Sequence, residues 1–237
     1  MFYKISEKLI DQEILDRLLY RDAMILVLNK PSGLPVHPAN GNKHNLGHYL
    51  HLLRFGLPNT PELAHRLDLG TSGCLILARH AQAARRLGEL FTAGLIKKTY
   101  YALVEGQLTD EAGRIDIPLS KQSPDKRHWW MKADINSTLK AITDFRVLER
   151  FNDYTLIELK PLTGRTHQLR VHCEALGVPI VGDYIYGKDK EKAKLTRLCL
   201  HASEIEIPLY PKREPLIVRA PLPTHMNELL KNAGNSQ

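Results

Sequence analysis

Short apolar runs rich in β-branched and aromatic residues outnumber the helical patterns along this chain, and the two kinds are not regularly interleaved. That ordering argues against a doubly wound parallel sheet, in which each strand is followed by a helix. It predicts an α+β fold: a central mixed, largely antiparallel β-sheet flanked by helices and loops. Strands are expected over 24–30, 62–68, 74–78, 100–105, 142–149, 154–159, 198–207 and 215–220. Asn152-Asp153 suits the turn of a hairpin between the fifth and sixth of these. Helices are expected over 45–55 behind an Asn45 cap, over 81–95, and over 166–176 before a stop at Gly177. Pro31-Ser32-Gly33 closes the first strand as a rigid turn, and Pro35 and Pro38 keep the next stretch extended. Residues 1–20 read as a short amphipathic arm and 21–237 as one domain, with no long linker inside it.

A length of 237 residues allows one sizeable core, or two lobes sharing a cleft. With 43% hydrophobic and 25% charged residues the composition is that of a soluble globular protein. No apolar run approaches the ~18 residues a bilayer span needs. The first residues lack a signal-peptide core, so the chain reads as cytoplasmic with no membrane partner. Cys74, Cys173 and Cys199 stand far apart and read as reduced, buried thiols. His44, His48 and His51 share helical spacing, but no carboxylate or cysteine completes a ligand pattern, so no metal site is expected. The net charge of +7 favours a polyanionic partner.

The chemistry concentrates in two segments. His65-Arg66-Leu67-Asp68-Leu69-Gly70-Thr71-Ser72-Gly73 sets a carboxylate just before a turn of small and hydroxyl residues, with an apolar run behind it. A carboxylate at such a junction is held rigidly and can still face a cleft. As a lone Arg-x-Asp it would be an ordinary ion pair. A second cluster changes the weighing: Thr163-Gly164-Arg165-Thr166-His167-Gln168-Leu169-Arg170-Val171-His172. A carboxylate removed from water needs a cationic partner or it takes up a proton. Arg165, beside Gly164 at a helix start, is the candidate, because a guanidinium stays charged and fixes a carboxylate's orientation. Arg170 and the histidines are expected to meet phosphates or the sugar. The plainer reading of this cluster is a helix start capped by Thr163 or Thr166, with solvated charges.

Tyr100 and Tyr101 follow two lysines on a strand, where neighbours face opposite sides. One ring can then pack in the core while the other faces a cleft; core packing of both rings is the plain reading, and stacking on a nucleobase the sharper one. Residues 126–132 interleave basic and aromatic side chains, as single-strand binders do, or form a hairpin with tryptophans on the core. The charged stretch 188–194 reads as a solvated loop.

Several segments together resemble the RluA-type pseudouridine synthases. Asn29 to Val36 is similar to that family's opening strand and turn, and His65 to Gly73 to its signature around the catalytic aspartate. Lys98 to Gly106 resembles its tyrosine motif. Thr163 to His172, with Gly177 to Asp183 and Tyr186-Gly187, resembles its arginine motif and extension. The resemblance implies Asp68 as the catalytic aspartate, Tyr100 as the ring stacked on the target uracil, and Arg165 as the partner of Asp68. It places Leu169 on the pocket wall and Arg66 in the space left by the extruded base. His65, Thr71, His167 and Arg170 complete the expected substrate-binding set. The implied fold has two sub-lobes with the active cleft between them, and the implied chemistry uses no cofactor.

The activity so implied is isomerisation of specific uridines in tRNA or ribosomal RNA by a base-flipping enzyme, with no obligatory protein partner and a monomer expected. About twenty residues before the first strand are too few for an S4-like RNA-binding domain, which resembles the family's short branch. Asp68 can attack C1′ or the base, or remove the C2′ proton; the sequence leaves these routes open. A non-catalytic RNA-binding or RNA-folding protein on the same scaffold is the rival reading, and a metal-dependent hydrolase ranks below it.

Overall fold

A computed structural model of the protein describes residues 11–37, 44–123 and 130–234. In chain order the first elements are α1 (Asp11–Leu15), β1 (Leu18–Arg21), β2 (Ile25–Lys30), a 3-10 helix (Leu46–Arg54), β3 (Glu62–Leu63), β4 (Ser72–Ala78) and α2 (Ala81–Thr92). Then follow β5 (Lys97–Glu105), β6 (Ala112–Asp116), β7 (Leu119–Lys121), β8 (Met131–Ala133), β9 (Ile142–Arg150) and β10 (Tyr154–Pro161). The last are α3 (Gln168–Ala175), α4 (Lys190–Leu195), β11 (Leu200–Ile207), β12 (Leu216–Arg219) and α5 (Thr224–Gly234). The chain divides into two compact units: one from the residues up to Lys98 with Ala202–Pro221, the other from Thr99–His201 with the segment from Leu222 on.

In the first unit the strand order is β1-β2-β4-β11, with β12 beside β11 and the short β3 beside β4. Ladders β1–β2, β2–β4, β3–β4 and β11–β12 are antiparallel. Every residue of β4 is buried, which is why Cys74–Ala78 reads as a continuous apolar run rather than an alternating one. Gly73 has φ +106°, and a Cβ there would lie 2.2 Å from the Ala202 carbonyl oxygen, so only glycine lets β11 approach. Helix α2 lays Ala83, Leu87 and Leu90 inward and starts under the His80 ring, whose Nδ1 accepts from the Ala83 amide at 3.3 Å. It stops at Thr92, so Leu95 lies beyond it, 52% exposed.

The second unit carries the order β5-β10-β9-β6, antiparallel throughout, and a separate β7–β8 pair. The β9–β10 hairpin turns through Phe151–Asp153, as expected, with the Phe151 amide donating to the Tyr154 carbonyl at 2.8 Å. Helix α3 buries every residue from Gln168 to Cys173 and ends before Gly177 at φ +77°. The α+β reading, with a largely antiparallel sheet, is therefore what the chain adopts.

Some expectations need correcting. Residues 18–20, at the end of the expected amphipathic arm, form β1 together with Arg21, hydrogen-bonded to β2, and Ile14 of α1 is fully buried. The strand expected over 62–68 ends at Leu63, because the chain leaves β4 there to make the turn that carries Asp68. The helix over 45–55 forms behind Asn45, whose Oδ1 accepts from the Gly47 amide at 2.9 Å, but with 3-10 geometry. The charged 188–194 stretch contains helix α4. Strands β6 to β8 and helix α5 carry weak patterns and were not foreseen. Pro38, residues 1–10 and the basic segment 124–129 lie outside the described residues. The three cysteines are buried free thiols, and burial pushes Cys74 and Cys199 up to about 12. Among the described residues no cluster could hold a metal ion, and no helix is long and apolar enough to cross a membrane.

Candidate active site

In the first unit the turn bearing Asp68 is tied down on both sides. Beyond it, the Leu69 carbonyl accepts from the Gly33 amide at 2.9 Å and from Lys30 Nζ at 3.2 Å. The Gly70 carbonyl accepts from Ser32 Oγ at 2.7 Å, and Thr71 donates its amide back to the Asp68 carbonyl at 3.1 Å. Lys30 has no solvent exposure and also donates to the Pro31 and Leu34 carbonyls, at 3.0 and 2.9 Å. Burial lowers its ammonium to about 7, while the Asp68 carboxylate works the other way and holds the proton on. The Lys30-Pro31-Ser32-Gly33 turn is thus the underside of the Asp68 turn.

On the near side the ladder between β3 and β4 runs out at Leu63, and Ala64 still donates to the Ile76 carbonyl at 3.1 Å. The next hydrogen bond goes to a side chain: the Ile76 amide donates to His65 Nε2 at 3.0 Å. The ring is tilted against Phe91, centroids 5.2 Å apart. Desolvation, then the Lys98 charge, push this imidazole down to about 3. Arg66 is exposed, Leu67 is 4% exposed, and Asp68 is half-buried.

In the second unit Gln168 organises the arginine motif. Its Oε1 accepts from Thr163 Oγ1 at 2.7 Å and from the Arg165 amide at 3.0 Å. Its Nε2 donates to the Ile142 carbonyl and to Thr143 Oγ1, both at 3.0 Å. Thr143 in turn meets His172 Nδ1 at 2.9 Å, and His172 Nε2 donates to the Ile117 carbonyl at 3.1 Å. Since that carbonyl can only accept, His172 carries a proton on Nε2, and burial lowers its pKa from the usual imidazole range. Arg165 projects to solvent and bonds the Lys140 carbonyl through Nε at 3.0 Å. Leu169 is 7% and Tyr100 8% exposed.

The family model for RNA pseudouridylate synthase matches residues 24–175. An uncharacterised RNA pseudouridine synthase of Zymomonas mobilis is 42% identical over 214 residues, spanning 90% of this chain and 96% of that protein. The chain belongs to the RNA pseudouridylate synthase family. Ribosomal large subunit pseudouridine synthase C of Buchnera aphidicola is 39% identical over 222 residues, covering 91% of this chain and 70% of the relative. The solved structure of human RNA pseudouridylate synthase domain containing 4 aligns with a TM-score of 0.80 at 28% identity, over 94% of this chain and 95% of its own. The synthase is accordingly an isomerase whose substrate is RNA, converting uridine to pseudouridine.

Three residues expected on the substrate are engaged within the protein. Arg170 is 2% exposed and makes a double ion pair with Asp183, both N···O distances 2.7 Å, under the Tyr186 ring. Asp183 Oδ1 also accepts the Ile185 and Tyr186 amides, so this pair locks the following turn and is not spread on a phosphate. His167, 6% exposed, takes the left-handed conformation at the helix start and bonds Tyr186 Oη at 2.8 Å through Nδ1. His65 turns its ring toward β4, away from the role of a substrate contact. Neither Thr163 nor Thr166 caps α3; His167 sits at the N-cap with its ring turned to Tyr186 rather than capping the helix, and Gln168 serves the loop before it. Lys30 and Gln168 were missed. The only sequence signal for Lys30 was a cation closing an apolar strand, and for Gln168 a polar residue inside a buried helix face.

Proposed function

We propose that the synthase acts through Asp68 on a uridine flipped out of its RNA, with large-subunit ribosomal RNA as the substrate class. The observation that carries the reading is the fixed turn: Leu69, Gly70 and Thr71 are each held by a backbone or buried side-chain bond, while Asp68 among them is left half-buried. A carboxylate so placed meets the requirement for a nucleophile or base, a fixed position with access for substrate. The ribosomal substrate is supported by the relatives named large subunit pseudouridine synthase C.

The reaction balances within one nucleotide. The N1–C1′ bond breaks, the uracil turns, C5 bonds to C1′, and the proton on C5 leaves as one arrives at N1. A stacked base cannot turn in place, so the nucleotide must be extruded, and exposed Arg66 is suited to fill the gap. The Tyr100 ring and Leu169 offer apolar surface for the detached base, and Arg165 offers a guanidinium that stays charged. Thr71 takes part through its amide, which holds the turn. Attack at C1′, attack on the base and removal of the C2′ proton all use the same ionised carboxylate. The same reading has the synthase act as a monomer in the cytoplasm.

Total tRNA and ribosomal RNA from cells lacking the gene, treated with purified protein, test the substrate. Carbodiimide labelling and primer extension are expected to place new pseudouridines in large-subunit RNA. New sites confined to tRNA would overturn the ribosomal assignment.

A further inference from the structure

We propose that His65 is a positioning residue for Asp68: a neutral imidazole that takes the place of a backbone carbonyl at the end of the β3–β4 ladder. The role rests on the reading of Asp68 above.

The geometry is that of a ladder handed from main chain to side chain. Glu62 and Leu63 pair with Ala78 and Leu77, and Ala64 donates to the Ile76 carbonyl. A continuing strand would next offer a carbonyl to the Ile76 amide. Ile76 lies in a fully buried strand and its amide cannot turn to water, so losing that acceptor would strand a buried donor. His65 supplies Nε2 instead, at 3.0 Å. The substitution frees the main chain to peel away from β4 at once, and three residues later it reaches Asp68. The segment 66–68 is then strung between two fixed points, the His65 ring and the Leu69 carbonyl held by Gly33 and Lys30.

The bond also settles the protonation state. An amide only donates, so Nε2 must be bare and the proton must sit on Nδ1. An imidazolium would turn its N–H against the Ile76 N–H. Burial against Phe91 and the nearby Lys98 charge both disfavour the cation, consistent with the depressed value near 3. His65 is therefore not an imidazolium acid in the working pH range.

Two measurements test this. Long-range proton–nitrogen correlation on histidine-labelled protein reads the tautomer directly, and a bare Nε2 with a protonated Nδ1 is expected for His65 from pH 8 down to pH 5. A protonated Nε2 at pH 7 would overturn the assignment. The second compares single-turnover rates. His65→Phe keeps a ring against Phe91 and removes the acceptor; His65→Gln keeps an acceptor. The His65→Phe rate is expected to fall on the order of 10–100-fold, since small misplacements of a reacting group cost that much, with RNA affinity within about twofold. His65→Gln is expected to recover most of the rate. A wild-type rate in His65→Phe, or equal losses in both variants, would contradict positioning. Asp68→Asn is run alongside: activity surviving there sinks the reading of Asp68 and leaves the His65 tautomer standing. Should His65→Phe fail to fold, the tautomer and the His65→Gln rate decide.

Discussion

Lys30, with no solvent exposure, donates its Nζ to the Leu69 carbonyl at 3.2 Å, on the peptide immediately after Asp68. A buried cation thus sits behind the carboxylate and binds the backbone that carries it. The same ammonium spans to Pro31 and Leu34, so one side chain closes its own turn and supports the next.

That arrangement has a pH signature. Unfolded lysine keeps its proton to about pH 10.4, whereas folded Lys30 releases it near about 7. Between those values the unfolded chain binds more protons, so stability from this group rises with pH, at up to about 1.4 kcal/mol per unit. Below about 7 the cost of burying the charge is constant. Denaturant midpoints of wild type and Lys30→Met from pH 6 to 9 are expected to diverge above pH 7, wild type gaining. A pH-independent gap would show that Lys30 does not titrate there.

The Arg170–Asp183 pair predicts an asymmetry. Arg170→Met leaves a buried carboxylate uncompensated and is expected to cost about 3–5 kcal/mol. The double variant with Asp183→Leu is expected to recover part of that loss. Urea unfolding of the double variant and of each single variant checks it, and a double variant worse than the sum of the singles would refute the pairing as their main interaction.

Gly73→Ala meets the Ala202 carbonyl at 2.2 Å in a backbone conformation closed to alanine. It is expected to destabilise by several kcal/mol or prevent soluble expression. Gly94→Ala, with φ +68° and nothing within 4 Å, is expected to cost only about 1 kcal/mol. Melting curves of the pair separate the close approach from the backbone preference.

Arg165 is exposed and bonds the Lys140 carbonyl, unlike the buried Arg170, and its proposed role is in turnover rather than in holding the RNA backbone. Arg165→Met should then cut turnover about 100-fold or more and change RNA affinity little. Equal losses in both would make Arg165 a phosphate contact.

Much of the fold was legible because β2, β4, β5, β9, β10 and β11 are apolar or β-branched runs bounded by turn residues. Strands β6 to β8 were not, because short exposed strands such as Ala112–Asp116 bury little and carry no alternation. The Asp68 turn and the Arg165 loop were legible as charge beside glycine. The arginines of the second motif did not announce their difference: spacing cannot show that Arg170 points at Asp183, thirteen residues on, while Arg165 faces solvent. His65 was likewise read as a contact because an acceptor role toward a strand amide leaves no pattern in the sequence.

The central claim is that the Asp68 carboxylate carries the chemistry. Isomerisation replaces the C5–H bond of uracil, so large-subunit RNA transcribed with 5-tritiated uridine releases tritium as it proceeds. Wild type is expected to release it under single-turnover conditions. Asp68→Asn is expected to release it on the order of 10³-fold more slowly or not at all while binding the same RNA, as loss of an essential nucleophile or base demands. Tritium released by Asp68→Asn at the wild-type rate would contradict the account.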